Sequence, residues 1–278
     1  MMATHRLGIT NYSVGYPGRQ VISDLSLPRI DGGCLTALVG PNAAGKTTLL
    51  RSLAGLIRAK GSIEIDGKPL HQLSAAAYAA HVTYMPQTLP QRVGLTVLEA
   101  VLAALHSAPA QGASNADMRR RGFATLERLG IGDLALSPLD QLSGGQRQLA
   151  SLAQAIAREP AALLLDEPTS ALDLKHQLRV MKVVQDLSCE RGMVTILVLH
   201  DIALAARWCK RIIVLANGRI AADGTAVEAI TPAIFAKVYG VSARIERCSQ
   251  GHVQIMVDDL LENAVPRRDP VAPGRAFQ

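Results

Sequence analysis

Three stretches of the chain combine residue types suited to handling phosphate. Gly40-Pro41-Asn42-Ala43-Ala44-Gly45-Lys46-Thr47 is a glycine-framed loop leading into a lysine and a hydroxyl. In such a loop, successive backbone N–H groups wrap phosphate oxygens while the following helix aims its positive end at them. Lys46 is suited to reach the β- and γ-phosphates of ATP, Thr47 to ligate Mg²⁺ and Thr48 to line the α/β-phosphates. The apolar run Leu163-Leu164-Leu165 ends in Asp166 and Glu167. A carboxylate there emerges at the C-terminal edge of a sheet, where ligands bind. Asp166 is suited to hold Mg²⁺ through water, and Glu167 to act as general base on an attacking water. The competing readings are a glycine turn without a ligand and a pair of exposed loop acids.

The third stretch is Leu142-Ser143-Gly144-Gly145-Gln146, just ahead of a helical pattern from about Gln146 to Arg158. Its glycines expose backbone N–H groups at a positive helix end, which makes a second anion site. That site cannot reach the phosphate loop of its own chain if the helical segment stands apart. The economical arrangement is a head-to-tail dimer, in which Ser143 and Gly145 of each copy complete the γ-phosphate shell on the ATP of the other.

The elements needed to position these residues are legible around them. Leu7 to Tyr12, Val21 to Leu27 and Cys34 to Val39 read as strands separated by Pro17-Gly18 and Asp31-Gly32-Gly33 turns. The third strand runs into the glycine loop, and Lys46 to Leu56 has apolar residues at helical spacing. Ser62 to Ile65 and His81 to Met85 are further strands. From Thr96 to Arg158 the pattern is helical, opening on a Thr96/Glu99 capping box. Pro109 to Asn115 reads as a loop, and Ala116 to Leu129 as a helix whose Arg119-Arg120-Arg121 is a solvated face. Strands return at Ala161 to Leu165, Val194 to Leu199 and Arg211 to Leu215, with a helix from Lys175 to Glu190. This alternation predicts an α/β fold with a mostly parallel sheet, an N-terminal antiparallel β part and an inserted α-helical subdomain. The catalytic core is expected over about 1–87 and 160–230, and the helical subdomain over about 88–159. An accessory helix (Thr231 to Tyr239) and hairpin (Ala243 to Cys248, His252 to Val257) fill about 231–262. The Pro/Arg-rich end, 266–278, is expected to be disordered.

Bulk properties narrow the classes. With 278 residues and 49% hydrophobic content, one α/β domain with an appendage can bury a sizeable core. Aromatics at 3% argue against a base-stacking surface for single-stranded nucleic acid. A net charge of +6 fits either an ordinary solvated surface or work beside anionic lipid or nucleic acid. Cys34, Cys189, Cys209 and Cys248 form no CxxC pair, so reduced thiols are expected. No apolar signal core follows Met1 to Arg6, and no stretch approaches the roughly 18–20 apolar residues that span a bilayer.

The order of phosphate loop, LSGGQ and LLLDEP over about residues 5–230 resembles the ABC-type ATPases, the nucleotide-binding subunits of transporters. The resemblance implies roles for three further residues. Gln87, in Tyr84-Met85-Pro86-Gln87, corresponds to the glutamine that touches Mg²⁺ and the attacking water and senses the membrane subunit. Asp173, in Ser170-Ala171-Leu172-Asp173, corresponds to the loop that crosses the dimer interface to the partner's ATP. His200 corresponds to the histidine at the γ-phosphate. Tyr16 lies where the family places an aromatic ring on adenine; Tyr12 is its rival, and a structural tyrosine is the competing reading. Ala43 departs from the family, which usually has glycine there, so its Cβ strains the loop. Nucleotide binding is expected to survive because Gly40 and Gly45 remain.

The chain carries no fused membrane helices, long coiled coil or second cassette, which favours a separate subunit of an importer. Pro69-Leu70-His71-Gln72-Leu73-Ser74, Ala80-His81-Val82-Thr83-Tyr84-Met85-Pro86-Gln87 and Ile230-Thr231-Pro232 with Val238-Tyr239-Gly240-Val241 are similar to the ATPases of iron-siderophore, haem and cobalamin importers. The implied function is an ATPase powering uptake of a metal chelate, haem or ferric siderophore ahead of cobalamin. Its implied partners are a second copy of itself, two copies of a membrane permease in the groove near Gln87 to Arg92, and indirectly a periplasmic binding protein. Its implied place is the cytoplasmic side of the inner membrane, with no nucleic-acid partner. The alternatives are a soluble relative in Fe–S assembly or nucleic-acid maintenance, and an exporter with separate membrane subunits.

Overall fold

The computed structural model describes residues 4–87, 94–107 and 114–261. Expectations for 88–92, for most of the loop at 109–115 and for the 266–278 tail lie outside the described residues. In chain order the elements begin with β1 (Arg6–Tyr16), β2 (Arg19–Asp31), β3 (Leu35–Val39), α1 (Lys46–Leu53), β4 (Ala59–Ile65), β5 (Lys68–Pro69), α2 (Ala75–His81) and β6 (Val82–Met85). A helical block follows: α3 (Val97–His106), α4 (Asn115–Leu129) and α5 (Gly144–Ala157). The chain then alternates through β7 (Ala162–Asp166), α6 (Leu174–Arg191), β8 (Val194–Val198), α7 (Ile202–Trp208), β9 (Arg211–Ala216) and β10 (Arg219–Gly224). It closes with α8 (Ala226–Ala229), α9 (Pro232–Ile234), a π turn (Phe235–Tyr239), β11 (Val241–Arg247) and β12 (Val253–Leu260).

A six-stranded sheet in the order β10-β9-β3-β8-β7-β6 forms the centre. Its strands are parallel except for the edge strand β10, which returns antiparallel to β9. All five residues of β3, β7 and β8 are buried, the pattern of strands covered on both faces. Side-chain alternation divides them between two cores. Leu35, Ala37, Val39, Leu163, Leu165 and Leu197 pack with the helical block and α6. Leu38, Ala162, Leu164, Ile196 and Val198 pack with α1 and the antiparallel sheet β2-β1-β4-β5. The α/β expectation holds, with the N-terminal antiparallel part and inserted helices in place. β10 completes the main sheet within the expected core, and the C-terminal hairpin β11–β12 packs against α7.

The helical block is tied to the core at its far end. Arg128 makes a bidentate contact with Glu190 of α6 (3.0 and 2.9 Å), and Arg121 reaches Glu159 at 2.7 Å. Arg121 thus leaves the solvated face expected of the Arg119–Arg121 run. Within the block, Leu152 is fully buried on the face of α5 shared with the sheet core. Leu152→Ala is expected to cost about 2–5 kcal/mol, from lost transfer energy plus an unfilled cavity. Urea unfolding checks this; a loss below about 1 kcal/mol would mean that α5 does not seat the block on the sheet.

Candidate functional site

The phosphate loop begins where β3 ends. Gly40 has φ 147°, and a Cβ there would lie 2.0 Å from the Leu215 carbonyl oxygen, so only glycine fits beside β9. Gly45 precedes α1 with φ 105° and sits beneath Val21 and Ile22 of β2. Between them Ala43 takes φ 62°, the left-handed region that its Cβ disfavours. The first N–H groups of α1 have no partner within the helix, which leaves them for an anion. Lys46 lies along the loop and donates from Nζ to the carbonyls of Gly40 (2.7 Å) and Pro41 (2.8 Å). Burial lowers its pKa, and the carboxylates of Glu167 and Asp166 draw it back up.

A cavity of about 310 Å3 opens over this loop. Asn42, Ala43, Gly45, Lys46, Thr47 and Thr48 form its floor, with Tyr16, Glu167 and His200 at the sides. Gly40, Pro41 and Ala44 shape the loop from behind, Ala44 being buried. Tyr16 is 47% exposed and faces the cavity, whereas Tyr12 is 2% exposed in the core. A register slip between Ile9 and Tyr12, around Asn11 with φ 49°, turns Tyr12 inward, and further slips at Tyr12/Val14 and Val14/Gly15 lie between the two rivals.

The acids stand at the end of β7. Asp166 is fully buried and accepts hydrogen bonds from the hydroxyls of Thr47 (3.2 Å) and Tyr84 (3.0 Å). Burial pushes its pKa up, and these two bonds pull it down. Burial, with the Asp166 charge beside it, raises the Tyr84 phenol, so it remains a donor. Glu167 follows in a left-handed conformation, φ 53°. Its N–H donates to Val198 O (3.2 Å), and its carbonyl accepts the Gln148 amide (2.6 Å). Its carboxylate accepts from the Gln87 amide on one oxygen and from His200 Nε2 on the other, both at 2.5 Å. Those two donors fix the orientation of the carboxylate at the cavity wall.

The Ser143 side of the molecule is built differently. Ser143 caps α5 reciprocally with Gln146: its hydroxyl accepts the Gln146 N–H at 3.3 Å, and its own N–H donates to Gln146 Oε1 at 2.9 Å. Ser143 and Gly144 are exposed, and nothing lies within 4 Å of a Cβ built on Gly144. Asp173 is exposed as well, capping α6 through the N–H of His176. Among the described residues, the cavity walls include Tyr16, the phosphate loop, Glu167 and His200, but not Ser143, Gly144, Gly145, Gln146 or Asp173.

Four contributors escape a reading of the sequence. Arg19 and Val21 stand in the cavity wall. Tyr84 contacts Asp166, and the buried Gln148 joins α5 to the turn after β7, also accepting the Ala171 N–H at 3.1 Å. The one available signal was the length of the Pro17-Gly18 turn, which pairs Arg19 with Tyr16.

Among the described residues, no cluster of three or more His, Cys, Asp or Glu side chains stands at metal-holding distance. The oxygens next to the cavity are instead a mixed hard set: the Thr47 hydroxyl of its lining, the Asp166 carboxylate bonded to it, and the Gln87 amide bonded to Glu167. That set fits Mg²⁺, which binds through few protein carboxylates together with substrate phosphates. No helix among the described residues is long and apolar enough to cross a membrane.

Comparison with known proteins bears on the same site. The ABC transporter family profile matches residues 23–170. The iron(3+)-hydroxamate import ATP-binding protein of Bacillus subtilis is 37% identical, over 88% of this chain and 89% of the relative. The hemin import ATP-binding protein of Bordetella avium is 36% identical, over 84% of this chain and 91% of the relative. A solved dimer of an ATP-binding cassette, in a post-hydrolysis state with ADP and Pi, superposes with a TM-score of 0.73. It is 27% identical and covers 79% of this chain and 98% of its own.

Ala43 supplies a test of loop strain. Its left-handed geometry costs an L-residue about 1–2 kcal/mol, against about 0.5–1 kcal/mol of extra chain entropy lost by glycine on folding. Ala43→Gly is therefore expected to raise the melting temperature slightly and to leave ATP turnover unchanged. A many-fold rise in turnover would show that the alanine distorts the loop.

Proposed function

The chain belongs to the ABC transporter family, and we propose that it is the ATP-hydrolysing subunit of a bacterial importer for an iron chelate, haem or a ferric siderophore. The observation that carries the ATPase half is the Glu167 carboxylate, held by Gln87 and His200 at the rim of a cavity floored by Lys46, Thr47 and Thr48. Support for the cargo comes from the two relatives above, named for import of an iron–hydroxamate and of hemin. The cargo does not touch this subunit, so its identity rests on that similarity.

In this reading Tyr16 stacks on adenine, and residues 40–48 wrap the phosphates with Lys46 on the β/γ end. Thr47, Asp166 and Gln87 would hold Mg²⁺, which supplies charge neutralisation between the β- and γ-phosphates when bound. Glu167 accepts a proton from the water that attacks the γ-phosphorus, the bond from that phosphorus to the bridging oxygen breaks, and ADP and phosphate leave. Gln87 and His200 aim the carboxylate, and His200 also faces the developing γ-phosphate charge. Ser143, Gly144, Gly145, Gln146 and Asp173 act on the ATP of a second copy in a head-to-tail dimer. Two permease subunits would seat this dimer at the cytoplasmic face of the membrane and receive its closing motion, with a periplasmic binding protein delivering the chelate. The solved cassette dimer supports the paired arrangement.

Glu167→Gln removes the base while keeping the side chain's shape. Turnover is expected to fall about 100-fold or more, while ATP still binds and a dimer accumulates by light scattering. Near-normal turnover would contradict the assignment of Glu167. For the cargo, a strain lacking the gene is expected to lose growth on haem or on a ferric siderophore as sole iron source. Undiminished uptake of both would contradict an iron-chelate importer.

A further inference from the structure

We propose that Arg19 is a nucleotide-binding residue that holds the sugar–α-phosphate portion of ATP, between the adenine-stacking tyrosine and the phosphate loop. The inference rests on the nucleotide site proposed above. Tyr16 and Arg19 are register partners across the two-residue Pro17-Gly18 turn, so their side chains leave the same face of the β1–β2 hairpin. Both line the cavity that contains Lys46, Thr47 and Thr48. Val21, two residues further along β2, lines the same cavity, and its Cγ1 lies 3.0 Å from where a Cβ on Gly45 would stand. Residues 19 and 21 therefore form one strip, with Val21 over the glycine of the phosphate loop and Arg19 a strand step nearer the aromatic ring.

The charge of Arg19 has no counterpart among the described residues. It makes no ion pair or side-chain hydrogen bond there, unlike Arg29, Arg121, Arg128, Arg211 and Arg244, each of which meets a carboxylate. A neighbouring groove of about 620 Å3 shares Tyr16 and Arg19 and adds Arg58 and Lys60, with no acid in its walls. The one acid of the main cavity, Glu167, is taken by Gln87 and His200. A planar guanidinium in such a place matches a phosphate oxygen pair or a ribose edge better than it matches anything in the protein. Its place beside Tyr16 on the β1–β2 hairpin, rather than on the sheet edge that carries Glu167 and His200, points to the part of the nucleotide next to adenine, which is common to ATP and ADP.

The test is calorimetric titration of wild type, Arg19→Ala and Arg19→Lys with ADP and with a non-hydrolysable ATP analogue, alongside steady-state kinetics. Equal melting temperatures would certify the fold. Arg19→Ala is expected to weaken both nucleotides by the same factor, roughly tenfold for a lost charge-assisted hydrogen bond. It should raise KM while leaving kcat at saturation unchanged, and Arg19→Lys should recover part of the affinity. Unchanged affinity in Arg19→Ala would overturn the inference while leaving the nucleotide site intact. A loss confined to the triphosphate would overturn it by moving the contact to the γ-phosphate. Wild-type protein that bound neither nucleotide would overturn the nucleotide site and this inference together.

Discussion

Parallel pairing of β3, β8, β7 and β6 makes the segments that follow four adjacent strands leave the sheet along one edge. In spatial order they carry Gly40 and the phosphate loop, then His200, then Asp166 and Glu167, then Gln87. Nothing in the order of the sequence makes these residues neighbours; the pairing does. The contacts between those segments follow from it. Thr47 meets Asp166, and Glu167 is reached from His200 on one side and from Gln87 on the other. The two cores on either face of the sheet hold that edge rigid, because each buried strand contributes alternate side chains to both.

The same edge stores unfavourable terms. Asp166 is a fully buried carboxylate, and Glu167 and Ala43 are non-glycine residues at positive φ. Such conformations cost of order 1–3 kcal/mol each and persist only where the surroundings over-determine them. For Glu167 the surroundings are named bonds, from its N–H to Val198 and from Gln148 to its carbonyl. Gln148 also gives the exposed α5 terminus a mechanical connection to the turn that holds Glu167, since it lies five residues beyond Ser143 on the same helix and bonds both Glu167 and Ala171. The proposed dimer face and the proposed base are thus joined by one buried amide.

Much of this was legible in the residues. The strands β3, β7 and β8 announce themselves as unbroken apolar runs, and the loop, the acid pair and the serine–glycine cap follow from residue type and position. Other parts were hidden for physical reasons. Helix α2 is nearly all alanine with no buried position, so it shows no apolar stripe. Helix α7 is a seven-residue segment too short to display a period. Tyr16 stood ahead of Tyr12 by resemblance and not by pattern, because register shifts between them break the alternation of β1. Tyr84 and Gln148 act across more than a dozen residues of sequence, on partners that only packing brings near. Strain at Ala43 was foreseeable, because a side chain stands where such loops favour glycine.

The central claim is that the nucleotide site is complete only across two copies, the phosphate loop from one and the Ser143 cap from the other. Mixing two single variants tests it most directly: Lys46→Ala, which disables a chain's own phosphate loop, and Ser143→Arg, which disables the cap it offers. Each variant alone should be inactive as an ATPase. Because a mixed pair joins the sound loop of one to the sound cap of the other, the mixture should recover hydrolysis. A mixture as inactive as its components, with mixed dimers demonstrated by tagged pull-down, would contradict the account.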